Sequence, residues 1–307
     1  MHHWRKPAAF GAAAFGLTLA FSTWALLSST RSVHALKDEQ PDRIAIEYLP
    51  TAKPEFQDVY KMLQDQRVLE KLQELFSPFL LPEVLTFRTK DCGMVNAWYV
   101  REDAKPVVTL CYDLLDHIMQ TLPKEPSPEG VTELDAKMGQ FFWFASHEAG
   151  HAMFDIFDAP IWGHEEDAAD GFAAFILLCF GKDQAKRLIQ GAAWQWKDYI
   201  SDYRSNRQVQ IRLAGFSSNH GQPEQRFYDL MCMAYGGEPV VFASLTNDGY
   251  LPPTRAPSCQ YEYRTLTYAF RKDINPHLDN ELVKKVWRMQ WLPDQSAMPR
   301  QPPVSAR

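Results

Sequence analysis

Residues 132–157 read TELDAKMGQFFWFASHEAGHAMFDIF, and this stretch decides the fold. Its apolar residues Leu134, Met138, Phe141, Phe142, Ala145, Ala149, Ala152, Met153 and Ile156 recur mostly at intervals of three and four, the spacing of a helix. Thr132 stands where an N-terminal cap belongs. Around Phe141-Phe142-Trp143-Phe144 the helix is apolar nearly all round, which predicts a buried central element. Inside it lies Ser146-His147-Glu148-Ala149-Gly150-His151. On a helix, residues four apart share a face one turn above the other, so His147 and His151 can point an imidazole nitrogen at the same ion. Glu148 sits about a quarter-turn round the axis and does not compete as a ligand. Its carboxylate reaches the side of the ion where a water would stand, the arrangement that metal-assisted hydrolysis requires.

A catalytic zinc needs a third protein ligand and an open fourth position. Fifteen residues after His151 comes Glu166, followed by Asp167-Ala168-Ala169-Asp170. Glu166 and Asp170 are again four apart, so a second helix presents both carboxylates on one face. Glu166 can complete the ligand set, and Asp170 can accept the free N–H of a ligand histidine and fix its tautomer. His164 and Glu165 remain alternatives to Glu166. The competing reading of Glu165, Glu166 and Asp167 is a helix N-terminus favoured by negative charge. Pro160 and Gly163 lie between the two helices and let the chain reverse.

Outward from this centre the chain reads as one α+β domain over residues 36–292. Ile44–Tyr48 alternates as a first strand, and 55–76 carries a helical apolar stripe. Strands are expected at 84–88, 95–100 and 107–112, the last two joined by a hairpin turn at 101–106. Short helices follow at 113–122, 165–180, 183–200, 223–235 and 278–291, with Gly181 as a stop. Trp194, Trp196 and Tyr199 fall at helical spacing and read as packing. The 293–307 tail holds four prolines and is expected to be disordered.

Of the 307 residues, 46% are hydrophobic and 23% charged, enough for a full core. The net charge of −6, without any basic run, disfavours a nucleic-acid partner. Residues 1–35 combine a basic start, an uncharged apolar run from Pro7 to Leu27 and Ser32-Val33-His34-Ala35, which together predict a secretory signal cleaved after Ala35. An uncleaved membrane anchor is the alternative, and the only membrane contact expected. Either way the domain is exported, to periplasm or medium. Of five cysteines, Cys179 lies in an apolar run and reads as a buried thiol. Among the three pairings open to the other four, Cys92–Cys111 with Cys232–Cys259 is the simplest.

The H-E-x-x-H at 147–151 followed by E-x-x-x-D at 166–170 resembles the gluzincin metallopeptidases, the thermolysin-like clan. Asn96-Ala97-Trp98-Tyr99 and the strand Pro106–Tyr112 resemble the edge strand that pairs with extended substrate in that clan. The resemblance implies Asn96 and Trp98 as substrate-binding residues, and an exposed edge suits a peptide. More broadly, CGMVNAWY, TLCYDLL, SHEAGHAMFD, HEEDAADGFAA, QRFYDLMCMAYG and RAPSC, spread over about residues 43–265, are similar to a family of exported bacterial metallopeptidase-like proteins without an established substrate. That likeness carries both cysteine pairs and supports zinc.

The resulting expectation is a zincin-like α+β domain with a small antiparallel sheet, hydrolysing peptide bonds of a peptide or protein substrate. Zinc is held by His147, His151 and Glu166, Glu148 is general base, and Asp170 orients a ligand. His220 is the first candidate for stabilising the oxyanion, with Tyr228 and Tyr112 behind it. The competing reading is an exported zinc-binding or scaffold protein whose site is structural or catalytically silent.

Overall fold

Alternation builds the sheet and helix length builds the rest. The computed structural model describes residues 43–200 and 219–294, so the expected signal segment, residues 36–42 and nearly all of the tail lie outside the described residues. Strand β1 (Ile44–Tyr48) is followed by helices α1 (Gln57–Asp65) and α2 (Val68–Phe76), then β2 (Leu85–Lys90), β3 (Ala97–Glu102) and β4 (Lys105–Cys111). The sheet order is β1-β2-β4-β3. β1 and β2 are parallel, as are β2 and β4, and only β3–β4 is antiparallel. The sheet is therefore mixed, which corrects the expectation of an antiparallel one. The two helices between β1 and β2 form a crossover that returns the chain in the same direction. Only the two-residue turn Asp103-Ala104 forces reversal, with both residues left-handed at φ 48° and 64°.

Helices cover one face of this sheet. Phe87 stacks on Phe76 of α2 with centroids 5.3 Å apart, and Tyr48 donates to Glu70 at 2.7 Å. The opposite face carries Arg88, bonded at 2.6 Å to both Glu47 and Glu102. The helix expected over 55–76 is broken at Arg67, which takes φ 51°. Its apolar stripe slips phase between Leu63 and Val68, and an unbroken helix could not bury Leu63 together with Leu69, Leu72 and Phe76.

Helix α3 (Tyr112–Thr121) leads to the central α4 (Glu133–Ile156), about 36 Å long. Thr132 and Asp135 cap α4 reciprocally, each side chain bonding the other's backbone N–H. Helices α5 (Glu165–Leu178) and α6 (Lys182–Ala193) pack against it. Glycine permits the α4–α6 approach, because a Cβ on Gly191 would stand 1.8 Å from the Asp135 carbonyl oxygen. Gly181, at φ 86°, turns the chain between α5 and α6. The helix expected to run to residue 200 ends at Ala193, followed by a 3-10 turn over Trp194–Trp196.

Helix α7 (Pro223–Gly237), the short α8 (Ser244–Asn247), α9 (Ala256–Ala269) and α10 (Asn280–Val286) follow among the described residues. α9 was not expected from sequence. It fully buries only Ala256 and Cys259, but Tyr263 packs on Gly236 and Gly237 of α7 and Leu266 on Gly171 of α5, and the Cys232–Cys259 disulfide links it to α7. A second disulfide, Cys92–Cys111, pins the loop before β3 to the end of β4. Each is worth about 3 kcal/mol of chain entropy. Cys179 is the free thiol, half-buried, and burial pushes it up to about 12. The disulfides point to an oxidising, non-cytoplasmic compartment. Among the described residues no helix is long and apolar enough to cross a membrane.

Candidate metal centre

Two antiparallel-running helix segments build the site. His147, Glu148 and His151 project from the buried middle of α4, and Glu165, Glu166 and Asp170 from the first turns of α5. Gly163, at φ 109°, turns the chain into α5. Gly150 lets the helices close, since a Cβ there would already meet Phe172 at 3.2 Å and Ala169 at 3.3 Å. The carboxylates of α5 also benefit from the positive end of their own helix.

His147 Nδ1 lies 2.7 Å from Asp170 Oδ1, and His151 Nδ1 lies 2.8 Å from Glu165 Oε1. An ionised carboxylate only accepts, so both Nδ1 atoms carry the proton. The two Nε2 atoms then face each other at 3.3 Å, with Glu166 Oε2 at 3.1 Å from His147 and 3.6 Å from His151. Once a metal displaces any Nε2 protons, these are three lone-pair donors turned toward one point. Ligands held about 2.0–2.1 Å from a tetrahedral ion stand about 3.3 Å apart, which this triangle matches. His147, His151 and Glu166 thus fit a divalent metal. His164 is exposed at the α5 cap, and Glu165 is taken up by His151 Nδ1, so neither belongs to the triangle.

The electrostatics favour a cation. Burial works against a charged His147, yet Asp170 and Glu166 outweigh it and raise the imidazole to about 9. Burial likewise opposes charge on His151, but Glu166 and Glu165 raise it. Bonds from His147, His151 and His220 hold Glu166 far below the usual carboxylate range. Burial raises the pKa of Glu148, only 7% exposed, against the lowering pull of His147 and His151. For Asp170, burial would raise the pKa, but His147 and Arg226 overcome it and keep the group ionised.

A cleft of about 410 Å³ opens on this cluster, lined by His147 and Glu148 together with Asn96, Phe144, His220 and Arg226 among others. Asn96 and Glu148 therefore share one cleft. Its β3 neighbour Trp98 does not line it. The strand's period of two puts Ala97 and Tyr99 toward α4, where Tyr99 bonds Asp155, and turns Trp98 to the other face beneath Lys90. His220 Nε2 lies 2.9 Å from Glu166 Oε2, its ring stacked beside His147. Tyr112 is removed from the site: it is fully buried, donating to the Leu49 carbonyl at 2.7 Å. Tyr228 packs edge-on against Phe227 and does not line the cleft. Trp196 packs on Trp143 as expected, while Trp194 and Tyr199 also border the cleft.

Arg226 was missed by sequence reading. From α7 it grips Asp170 with two bonds of 2.7 Å, through Nε and Nη2, and lies over the Trp196 ring. Its only sequence signal is indirect: a buried ionised aspartate bonded to a histidine calls for a further cation.

A family model described as "Putative metallopeptidase" matches residues 48–272. A search of curated proteins and a search of solved structures each found no match. The matched span covers most of the chain and all of the site, and the chain belongs to that family.

Proposed function

We propose that this member of the metallopeptidase family hydrolyses peptide bonds with a zinc ion held by His147, His151 and Glu166, in the manner of the gluzincins. The observation that supports it most is the donor triangle, with the Nδ1 of each histidine bonded to a carboxylate behind it. Neutral imidazole and carboxylate donors at this spacing suit zinc better than the harder magnesium or calcium, which prefer oxygen. When bound, the ion supplies Lewis-acid polarisation of a carbonyl and brings the pKa of a water toward ~7.

The chain's own residues divide the remaining work. Glu148 lines the cleft in a largely dry position and accepts the proton of the attacking water, then returns it to the leaving amine. Asp170, clamped by Arg226, keeps His147 in the Nδ1–H tautomer. Glu165 does the same for His151. His220 borders the same cleft as a donor for developing negative charge. β3 is an edge strand, paired only with β4 among the described residues, and its backbone can receive an extended peptide, with Asn96 at its start. The reading includes export, in keeping with the two disulfides.

Glu148→Gln tests the assignment. The variant is expected to keep its metal and lose peptide turnover by about 10²-fold or more. The competing reading, a structural or silent zinc site, requires that the wild type cleave no unfolded protein even when fully metallated. Wild-type turnover that survives Glu148→Gln would remove Glu148 from the mechanism.

A further inference from the structure

The edge strand β3 is fastened at both ends, by different means. At its start the Cys92–Cys111 disulfide ties the preceding loop to β4. Asp113 Oδ2 accepts there from the Cys92 and Gly93 N–H groups at 3.1 and 3.2 Å, and the Cys111 N–H donates to the Asn96 carbonyl at 3.3 Å. At the far end the fastening is a single carboxylate of α4. Asp155 Oδ2 accepts from the Tyr99 hydroxyl and from Arg101 Nε, the latter at 2.6 Å. The rest of the Arg101 guanidinium is engaged close by. Its Nη2 and Nη1 donate to Glu83 at 2.8 and 3.1 Å, and Nη1 also donates to the Ala104 carbonyl of the hairpin turn at 3.0 Å. Asp155 thereby joins α4 to the strand, to the turn beyond it and to the segment before β2.

Asp155 stands four residues after His151 and eight after His147, so the three share one stripe of α4. Asn96 lines the cleft with Glu148, while Arg101 reaches the last turn of α4, so β3 runs alongside the helix in the same direction. The edge of β3 away from β4, unpaired among the described residues, is thus held against the helix that carries the metal donors. Stability does not account for this contact. The Arg101, Glu83 and Asp155 side chains are 34%, 36% and 42% exposed, and ion pairs so exposed add little to folding. A carboxylate in the last turn also opposes the helix dipole, and α4 has no basic residue there to offset it. What the contact supplies is geometry. A peptide that hydrogen-bonds to β3 takes its placement from the strand, and a misplacement of about 1 Å can slow a reaction about 100-fold.

We propose that Asp155 is a positioning residue for extended peptide, fixing the far end of β3 against the stripe of α4 that carries His147 and His151. The cleavage arm of its test rests on the peptidase reading, and the binding arm needs only that β3 receives a peptide. Mixtures of blocked octapeptides, long enough to span the six residues of β3, and of blocked dipeptides, too short to do so, are compared by initial rate in the metallated protein. Asp155→Ala is expected to lose about tenfold or more on the octapeptides and to stay within about twofold on the dipeptides, with unchanged metal content. Asp155→Glu, which restores the carboxylate, is expected to recover part of the loss. Tyr99→Phe removes one of the two bonds, is expected to lose less with the same split, and serves if Asp155→Ala does not fold. In parallel, hydrogen exchange of the β3 amides is followed with and without the octapeptides in metallated Glu148→Gln protein, with protection expected that Asp155→Ala removes. An equal loss on both lengths, or none on either, overturns the positioning role. Absent protection, or protection that survives Asp155→Ala, overturns it as well. Asp155-dependent protection with neither length cleaved by the wild type overturns the peptidase reading and leaves the positioning standing.

Discussion

Replacing Arg226 by methionine probes how the metal face is held in position. Arg226 and Asp170 are 16% and 12% exposed, and two bonds of 2.7 Å join them. Methionine retains much of the apolar stem against Trp196 and removes the guanidinium. Removing one partner of a buried ion pair costs about 3–5 kcal/mol, because the other charge is left behind. His147 still faces Asp170 and carries part of that charge, so the lower end, about 3 kcal/mol, is expected. A second effect follows from the same contact. Asp170 without its clamp orients His147 less firmly, and loss of such an outer partner lowers metal affinity about 10- to 100-fold. Urea unfolding followed by tryptophan fluorescence reads the first effect, and competition with a chromophoric chelator reads the second. Arg226→Lys, which keeps the charge but not the two-pronged geometry, is expected to fall between. A stability loss below about 1 kcal/mol with unchanged metal affinity would refute the reasoning and show that Asp170 is held by other groups.

Two further outcomes are expected. Gly191→Ala should destabilise by at least about 3 kcal/mol in the same unfolding assay, since its Cβ would collide with the Asp135 carbonyl of α4, and backbone cannot yield as a flexible side chain can. Asp229 is held up at about 6, first by burial and then by the carboxylates of Asp167, Glu262 and Asp170, against the pull of Arg255. Its folded pKa lies above the unfolded value near 3.8, so the folded state binds the proton more tightly and stability falls as pH rises from about 4 to 6. Asp229→Asn should therefore raise the unfolding midpoint at pH 8 and leave it little changed at pH 4. An equal effect at both would remove the titration argument.

The parts of the molecule legible in sequence are those encoded by short-range spacing. The pairs His147/His151 and Glu166/Asp170 needed only the helical period, and Gly181 and Thr132 announced helix ends by their chemistry. What escaped was long-range. Nothing near Arg226 says that its carboxylate lies 56 residues away on α5. Strand direction was hidden because β1 and β2 are joined through two helices, and only the β3–β4 turn constrains itself locally. The stripe of α9, Ala256, Cys259, Tyr263 and Leu266, is sparse and interleaved with polar residues, and its packing on Gly236 and Gly237 of α7 is a long-range fact that no local signal carries. Alternation would put Asn96 and Trp98, two apart, on one face, but Asn96 stands before β3 begins at Ala97, and only Asn96 lines the cleft.

The central claim is that His147, His151 and Glu166 hold a metal, and metal content per chain tests it most directly. Elemental analysis of the purified protein beside His147→Ala is expected to find about one zinc per wild-type chain and almost none in the variant. Equal, negligible zinc in both after reloading would contradict the account.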